Sequence, residues 1–399
     1  MGLTQTIPNS SSSGSAFAPA RVWFLQPEVH HYRLPVLDSV QARGRADDAY
    51  EITVLGGLDA RGHCIGGGMR EYVRSCPLVQ SNKFGVSTAR WPSFEGMFTQ
   101  EKPDVLVMLG NPRIRQCWTL PKLARSMGVP VVGWSKVHSY SRLAWASNLI
   151  KPRFFNRFDT MIVYGESARK ELMGFGISGD HVFVAQNTID TRHIFTDADR
   201  ISARGRELRK QAGMDGKRIM LCIGRMDPEK RHQDLLDAWP RLREADPDLR
   251  LVIVSGGPML HEIRAKAHAL DPTGILLTGR VPEGDDYAWI STCDLGIYPG
   301  AIGLAINISL AFGKPTIIAN ELGSDSEILE HGITGWRYKR GDLNAMVTTI
   351  QSVLRDRTAT EVVCQRARAL MRDRVTIDNM TAKIDSAVRL ALSMRGRPS

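Results

Sequence analysis

Two runs in the second half of the chain carry residue types suited to holding a phosphorylated ligand. The first, IGRMDPEKRHQDLLDAW (223–239), sets Gly224 and Arg225 at the end of an apolar stretch and Lys230 in the loop before a long helical pattern. Two permanent cations at the carboxyl end of a strand can clamp a diphosphate, each charge-assisted hydrogen bond contributing about 1.5–3 kcal/mol. The plain alternative is a solvated strand–helix loop. The second run, YPGAIGLAINISLAFGKPTII (298–318), places Gly300, Gly303 and Leu304 in a Gly-rich turn between a strand and a helix. Free backbone N–H groups and the helix dipole favour an anionic group there, and glycines let a ligand approach the backbone closely. The second run follows the first after three strands, so one shared ligand is the sharper expectation.

The elements that must position these residues are short apolar strands alternating with amphipathic helices. That rhythm predicts an α/β fold of two Rossmann-like, doubly wound parallel-sheet domains facing a cleft. In the first half RVWFLQ (21–26), YEITVLGG (50–57), DVLVMLG (104–110), PVVGWS (130–135), TMIVYG (160–165) and HVFVAQN (181–187) read as strands. In the second half RIMLCIG (218–224), LRLVIVSGG (249–257), GILLTG (274–279), LGIYPG (295–300), KPTIIAN (314–320) and GWRY (335–338) do so. The predicted organisation is a disordered Ser-rich tail over 1–20, a first domain over 21–195 and a second over 200–376. A last helix over 377–395 is free to pack back on the first domain, and the polar stretch 190–213 reads as the hinge.

With these motifs in order, the second half resembles the C-terminal domain of the retaining glycosyltransferases of family 4, which have the GT-B fold. The matching pieces are Gly224-Arg225 with Glu229-Lys230, the run LAFGKP (310–315) and SDSEILEHGITGWRY (324–338). The resemblance implies that Arg225 and Lys230 hold the donor diphosphate and offset charge on the departing nucleotide. It implies that Arg280 and Val281 lie near the base, and that Glu327 sits close to the donor. His138, after the fourth strand, would reach the transferred sugar or the acceptor, and Asn187 would belong to a turn at the domain boundary. Where the family has two glutamates eight positions apart, this sequence has Gly300 and Ile308; Asn307 or Ser309 is the expected replacement. The implied activity is transfer of a sugar from a nucleotide-diphosphate donor to a glycan or lipid-linked acceptor. Rivals are a nucleotide-sugar epimerase, a phosphorylase, or a non-catalytic nucleotide-sugar-binding protein.

Other candidates are weaker. HHY (30–32) follows the first strand and faces the predicted cleft, which makes His31 and Tyr32 acceptor-side candidates together with Asn187. HCIGGGM (63–69) matches no phosphate motif and reads as a flexible loop. The DPD at 246–248 reads as a solvated loop away from the cleft rather than a metal site, so no metal or other cofactor is expected. Six scattered cysteines without a CxxC pair form neither a disulfide framework nor a zinc site, and a cytoplasmic protein fits them. No apolar run reaches the ~18–20 residues of a membrane span. The net charge is +10, and residues 111–170 hold eleven Lys/Arg against two acids. That basic stretch, with Trp145, Phe154 and Phe155, suits either a solvated, core-packed helix or a peripheral contact with an anionic membrane. Nucleic acid is not expected, for no binding motif accompanies the charge.

Overall fold

The computed structural model describes residues 18–59, 63–65, 67–83, 86–137, 144–320 and 327–396. Nine strands are described in the amino-terminal half: β1 (Ala20–Glu28), β2 (Tyr50–Gly57), β3 (Val73–Ser75), β4 (Val79–Lys83), β5 (Val86–Arg90), β6 (Val105–Leu109), β7 (Val131–Ser135), β8 (Thr160–Val163) and β9 (Val182–Val184). Seven form one parallel sheet in the order β3-β2-β1-β6-β7-β8-β9, while β4 and β5 pair with each other in an antiparallel hairpin. The second half holds β10 (Arg218–Ile223), β11 (Leu249–Val254), β12 (Ile275–Gly279), β13 (Leu295–Tyr298), β14 (Thr316–Asn320) and β15 (Trp336–Lys339). These make a parallel sheet ordered β12-β11-β10-β13-β14-β15. The twelve expected strands are all present. The three-residue β3 and the polar β4–β5 hairpin were beyond the pattern, because neither carries a run of apolar residues.

Both sheets are covered on two faces, which is why strands such as VLVML in β6 and RIMLCI in β10 are apolar almost throughout. One core of the first sheet gathers Trp23, Phe94, Phe98, Phe154 and Phe155; the other joins Phe24, Tyr50 and Trp134 to the last helix. That helix, Ile377–Ser393, begins at an N-cap where Thr376 accepts from the Asn379 N–H at 3.1 Å. It buries Ile384, Ala387, Val388 and Ala391 against the helix Leu34–Arg45 and the strands β6 to β9, so the chain's last helix completes the first sheet's core.

The chain passes between the two cores twice. Ala185 lies in the first sheet's core and Ile189 in the second's; on the way back Val375 lies in the second and Ile377 in the first. The crossings are tied together by Thr188 Oγ1, which donates to the Val375 carbonyl at 3.1 Å. The stretch 190–213, read from its polarity as a hinge, is largely helical instead, as Arg192–Thr196 and Ala198–Gln211. The second of these helices docks on the helix Asp285–Thr292, where Arg204 forms a bidentate pair with Asp285 at 2.9 and 3.0 Å. Its charges made it look solvated, but its small face around Gly205 is buried.

Each strand order reverses once, between β1 and β6 in the first sheet and between β10 and β13 in the second. In such sheets the crevice for a ligand opens at the carboxyl ends of the two strands flanking the reversal. Asp246 and Asp248 lie at the amino end of β10, paired with Arg218 (2.6 Å) and Lys217 (2.7 Å), far along the strand from that crevice. All six cysteines are free and buried. Among the described residues no helix is long and apolar enough to cross a membrane. Ile384→Ala is expected to cost about 2–5 kcal/mol, as for other fully buried branched side chains. Urea unfolding followed by far-UV circular dichroism measures it, and a cost under ~1 kcal/mol would contradict the last helix's place in the core.

Candidate functional site

The two motif-bearing loops leave adjacent strands at the reversal of the second sheet, since β10 pairs directly with β13. They touch through backbone. A Cβ at Gly300 would lie 2.1 Å from the Glu229 carbonyl oxygen and 2.6 Å from the Lys230 carbonyl carbon, so no other residue fits without moving the loop. Two hydrogen bonds join the same pair: the Ala301 N–H to the Glu229 carbonyl at 2.8 Å, and Lys230 Nζ to the Ala301 carbonyl at 2.5 Å. A Cβ at Gly303 would lie 3.4 Å from Lys230 Nζ, which puts the ammonium beside the whole Gly-rich turn. Arg225 is held less firmly, by a 3.4 Å ion pair to Asp227, and its side chain is 70% exposed. Leu304 packs partly into the core beneath the turn. The helix after the turn is only seven residues, Ala305–Ala311, so its dipole is smaller than the sequence pattern promised.

A cleft of about 820 Å³ opens between the two halves. Ile223 at the end of β10 and Val254 at the end of β11 reach it from below, and Arg280 and Val281 after β12 line one wall. His31 and Tyr32 line the facing wall, so two of the three acceptor-side candidates share one space with the base-side candidates, while Asn187 is not on its lining. The Gly cluster at 63–69, read as a flexible loop, is docked where it is described. The Ile65 N–H donates to the Val29 carbonyl (2.8 Å) and the His31 N–H to the Ile65 carbonyl (2.9 Å), and Gly67 and Gly68 line the cleft.

Asn187 and Glu327 serve the junction. Asn187 Oδ1 accepts from Arg33 Nη2 at 2.8 Å, and its carbonyl accepts from Asn307 Nδ2 at 3.0 Å. Glu327 caps a helix of the other half: its Oε2 accepts from the Glu166 N–H (2.8 Å), and its Oε1 from the Ser167 N–H (3.0 Å) and hydroxyl. Gly165 allows this approach, for a Cβ there would meet the carboxylate at 2.5 Å. The carboxylate therefore faces the helix Glu166–Gly174, and Glu327 lines the neighbouring cavities rather than the cleft. Asn307 and Ser309 do not replace the missing glutamates. Both are 1% exposed, Asn307 is bound as described, and Ser309 Oγ pairs with the Tyr298 hydroxyl at 2.7 Å. Ile308 is buried as well. His138 lies outside the described residues.

Several residues of the site gave no signal in the sequence. Arg70 lines the cleft and is aimed by a bidentate pair with Asp38 (3.0 and 3.2 Å). Tyr287 reaches the cleft beside His193, their rings 4.8 Å apart, and burial holds the Asp286 carboxyl above its ordinary range. None of these positions carries a motif; only the spacing of loops in space unites them. Arg231, in the left-handed region at φ 54, closes the cation loop and pairs with Asp234 at 2.8 Å.

Two parallel-sheet α/β domains, facing each other across a cleft at the carboxyl ends of their strands, define the GT-B class. Residues 205–370 match the model of the family glycosyl transferases group 1, which supports that family for the second half. A GDP-mannose-dependent alpha-(1-6)-phosphatidylinositol monomannoside mannosyltransferase of Mycolicibacterium smegmatis is 29% identical over 42% of this chain and 46% of its own length. The sulfoquinovosyl transferase of Arabidopsis thaliana is 24% identical over 74% of this chain and 58% of its own. The chain thus spans about half the length of these curated relatives. Among solved structures, the Anabaena protein HepE in complex with UDP and glucose superposes with a TM-score of 0.67 at 16% identity, covering 93% of this chain and 100% of that one. At that identity the likeness speaks for the fold.

His232 offers a test of the loop's packing. It follows Arg231, is 3% exposed, and its pKa is lowered to about 4 by burial, then by the charge of Lys230, with a backbone group of Gly224 acting the other way. A folded-state value below the unfolded one means that the unfolded chain binds more protons. Stability from this group is therefore full above about pH 6.5 and falls as the pH drops toward 4, by at most about 1.4 kcal/mol per pH unit. His232→Gln is expected to flatten the stability–pH curve in that window. Parallel curves for the two proteins would show that His232 is not held neutral.

Proposed function

We propose that the chain moves a sugar from a nucleotide-diphosphate donor to a glycan or lipid-linked acceptor with retention at the anomeric carbon. The observation that carries this reading is the meeting of the Arg225–Lys230 loop and the Gly300–Gly303 turn at the reversal of the second sheet. The match of residues 205–370 to glycosyl transferases group 1 supports it. In this reading Lys230 exchanges the Ala301 carbonyl for a phosphate oxygen, and the exposed Arg225 turns onto the same pyrophosphate. The base lies against Arg280 and Val281. The bond between the anomeric carbon and the donor phosphate oxygen breaks as the acceptor oxygen bonds that carbon from the same face. The acceptor's proton passes to the departing phosphate oxygen. Arg225 and Lys230 stabilise the charge that grows on the pyrophosphate, the role a metal ion would otherwise fill, so the reading assigns no cofactor. His138 is assigned to the transferred sugar or the acceptor, His31 and Tyr32 to the acceptor side, and Asn187 and Glu327 to holding the two halves in register.

A lipid-linked acceptor is supported by one relative's name, which specifies phosphatidylinositol monomannoside. It is also supported by the helix Ala144–Phe155, where Leu149 and Ile150 are 70% and 50% exposed near Arg153. The rest of the basic stretch argues less strongly. Lys151 is buried on Glu171 at 2.7 Å, and Phe154 and Phe155 belong to the core. A cytoplasmic protein touching an anionic membrane face through Leu149 and Ile150 fits these facts.

The phosphate site is tested by thermal melts with UDP, GDP, ADP and their sugars, since ligand stabilisation grows as RT ln(1 + [L]/Kd). Arg225→Ala and Lys230→Ala are each expected to weaken nucleotide binding about tenfold or more while the ligand-free Tm changes little. Unchanged shifts in both variants remove the assignment. With a labelled donor, an epimerised sugar or a sugar phosphate as product favours the epimerase or phosphorylase, and binding without turnover favours a non-catalytic protein. Flotation with vesicles of anionic lipid is expected for the native chain and reduced for Leu149→Ser/Ile150→Ser. Equal flotation by both would remove those residues from the membrane contact.

A further inference from the structure

A second, smaller cavity of about 220 Å³ lies in the first domain at the carboxyl ends of β1, β7 and β8, lined by Gln26, Tyr32, Arg33, Trp134 and Tyr164 among others. Three buried nitrogens of its lining have no hydrogen-bond partner: Gln26 Nε2, Arg33 Nη1 and Trp134 Nε1. A buried donor left unpaired costs about 1–3 kcal/mol, and native structures rarely hold several in one place without something to bond them. Arginine and tryptophan side chains have no acceptor capacity, so at least two of the three can only donate.

The Arg33 guanidinium has no acidic partner among its described hydrogen bonds. The described partners of the Arg33 guanidinium are neutral: Asn187 Oδ1 at 2.8 Å and the Tyr164 hydroxyl at 3.4 Å, both from Nη2. The rings of Tyr32 and Tyr164 lie 5.7 and 5.9 Å from its central carbon. These contacts fix the guanidinium and leave Nη1 over. The carboxylate on the lining, Glu28, is half exposed and paired with His30 at 2.9 Å. Trp134 is 7% exposed and locked between Phe24 and Tyr164. A held cation with neutral partners, beside two further donors in a half-open pocket, complements a compact anion rich in acceptor oxygens.

The geometry points to an anion-binding subsite here, formed by Arg33, Trp134 and Gln26, that takes a phosphate or carboxylate group. Tyr32 lines both this cavity and the interdomain cleft, so a molecule anchored by its anionic group would extend past Tyr32 toward Arg280 and Val281. Identifying that molecule as the acceptor rests on the sugar-transfer reading; the anion site itself does not. The subsite makes the chain select a charged acceptor over a neutral sugar.

The test uses the full chain without donor, its tryptophan indoles isotope-labelled, and the Trp134 resonance assigned from its loss in Trp134→Phe. Inorganic phosphate, glucuronate and methyl α-glucoside are titrated separately. A saturable shift of the Trp134 indole N–H is expected with phosphate or glucuronate and none with the neutral glucoside; the stronger anion tells phosphate from carboxylate. Arg33→Gln is expected to weaken that anion about tenfold or more. Gln26→Glu, which replaces a donor with a negative charge, is expected to do the same and serves if Arg33→Gln does not fold. UDP- or GDP-induced melting shifts on the same samples report the donor site. An unmoved Trp134 resonance, or an equal response to the glucoside, in a protein that still binds nucleotide overturns the subsite and leaves the sugar-transfer reading standing. An anion response in a protein that binds no nucleotide overturns that reading and leaves the subsite.

Discussion

The seam between β10 and β13 is the constraint on which the rest of the molecule's chemistry depends. The strands are neighbours in the sheet although two others separate them in sequence, so their loops must share the space above the reversal. A side chain at position 300 would hold those loops apart; glycine lets the turn rest on the backbone of residues 229 and 230. Once in contact, the Ala301 N–H and the Lys230 ammonium stitch the loops from both sides. The cation is then presented beside a glycine-lined surface, with the ordering of its side chain already accomplished, which reduces the entropy lost when a ligand binds.

The two halves meet through hydrogen-bonded polar groups. Asn307, Asn187 and Arg33 form a chain of hydrogen bonds across the junction, and Glu327 caps a helix of the opposite half. The last helix adds a second tie by crossing back into the first sheet's core. Part of the basic stretch of the first domain is less available than its composition suggests. Lys151 is paired in the interior, Arg157 lies over the Trp118 ring at 5.2 Å, and Arg125 is near Asp159 at 3.7 Å. Among the described residues of that stretch, Leu149 and Ile150 form an exposed apolar pair beside Arg153, while cations such as Arg113, Arg115, Lys122 and Lys170 stay at the surface.

Much of this was legible before any coordinates. Strands buried on both faces must be continuously apolar, so VLVML, IMLCI and TIIAN announced themselves, and their alternation with amphipathic helices fixed the layer architecture. The errors share a physical origin in surfaces that look solvated one residue at a time. The stretch 190–213 is rich in charge, yet Arg204 finds Asp285 and its helix packs. The glycines at 66–68 suggested looseness, but Ile65 and Gly67 are docked on the loop after β1. Asn307 and Ser309 looked like stand-ins for lost carboxylates, whereas burial turns both inward.

The sequence alone determined the order of the twelve apolar strands, the two cation positions and the glycine turn, because these follow from local periodicity and from residue types with few conformational alternatives. Only the tertiary structure decided which distant side chains face one another. Trp134 is far along the chain from Gln26 and Arg33 and shares no motif with them, yet all three line one cavity because β1 and β7 end on the same side of a parallel sheet. Glu327 meets Glu166 and Ser167 for a similar reason, across a junction set by where two cores close. Pairings of that kind depend on strand order and on the packing of whole layers, and no local pattern encodes either.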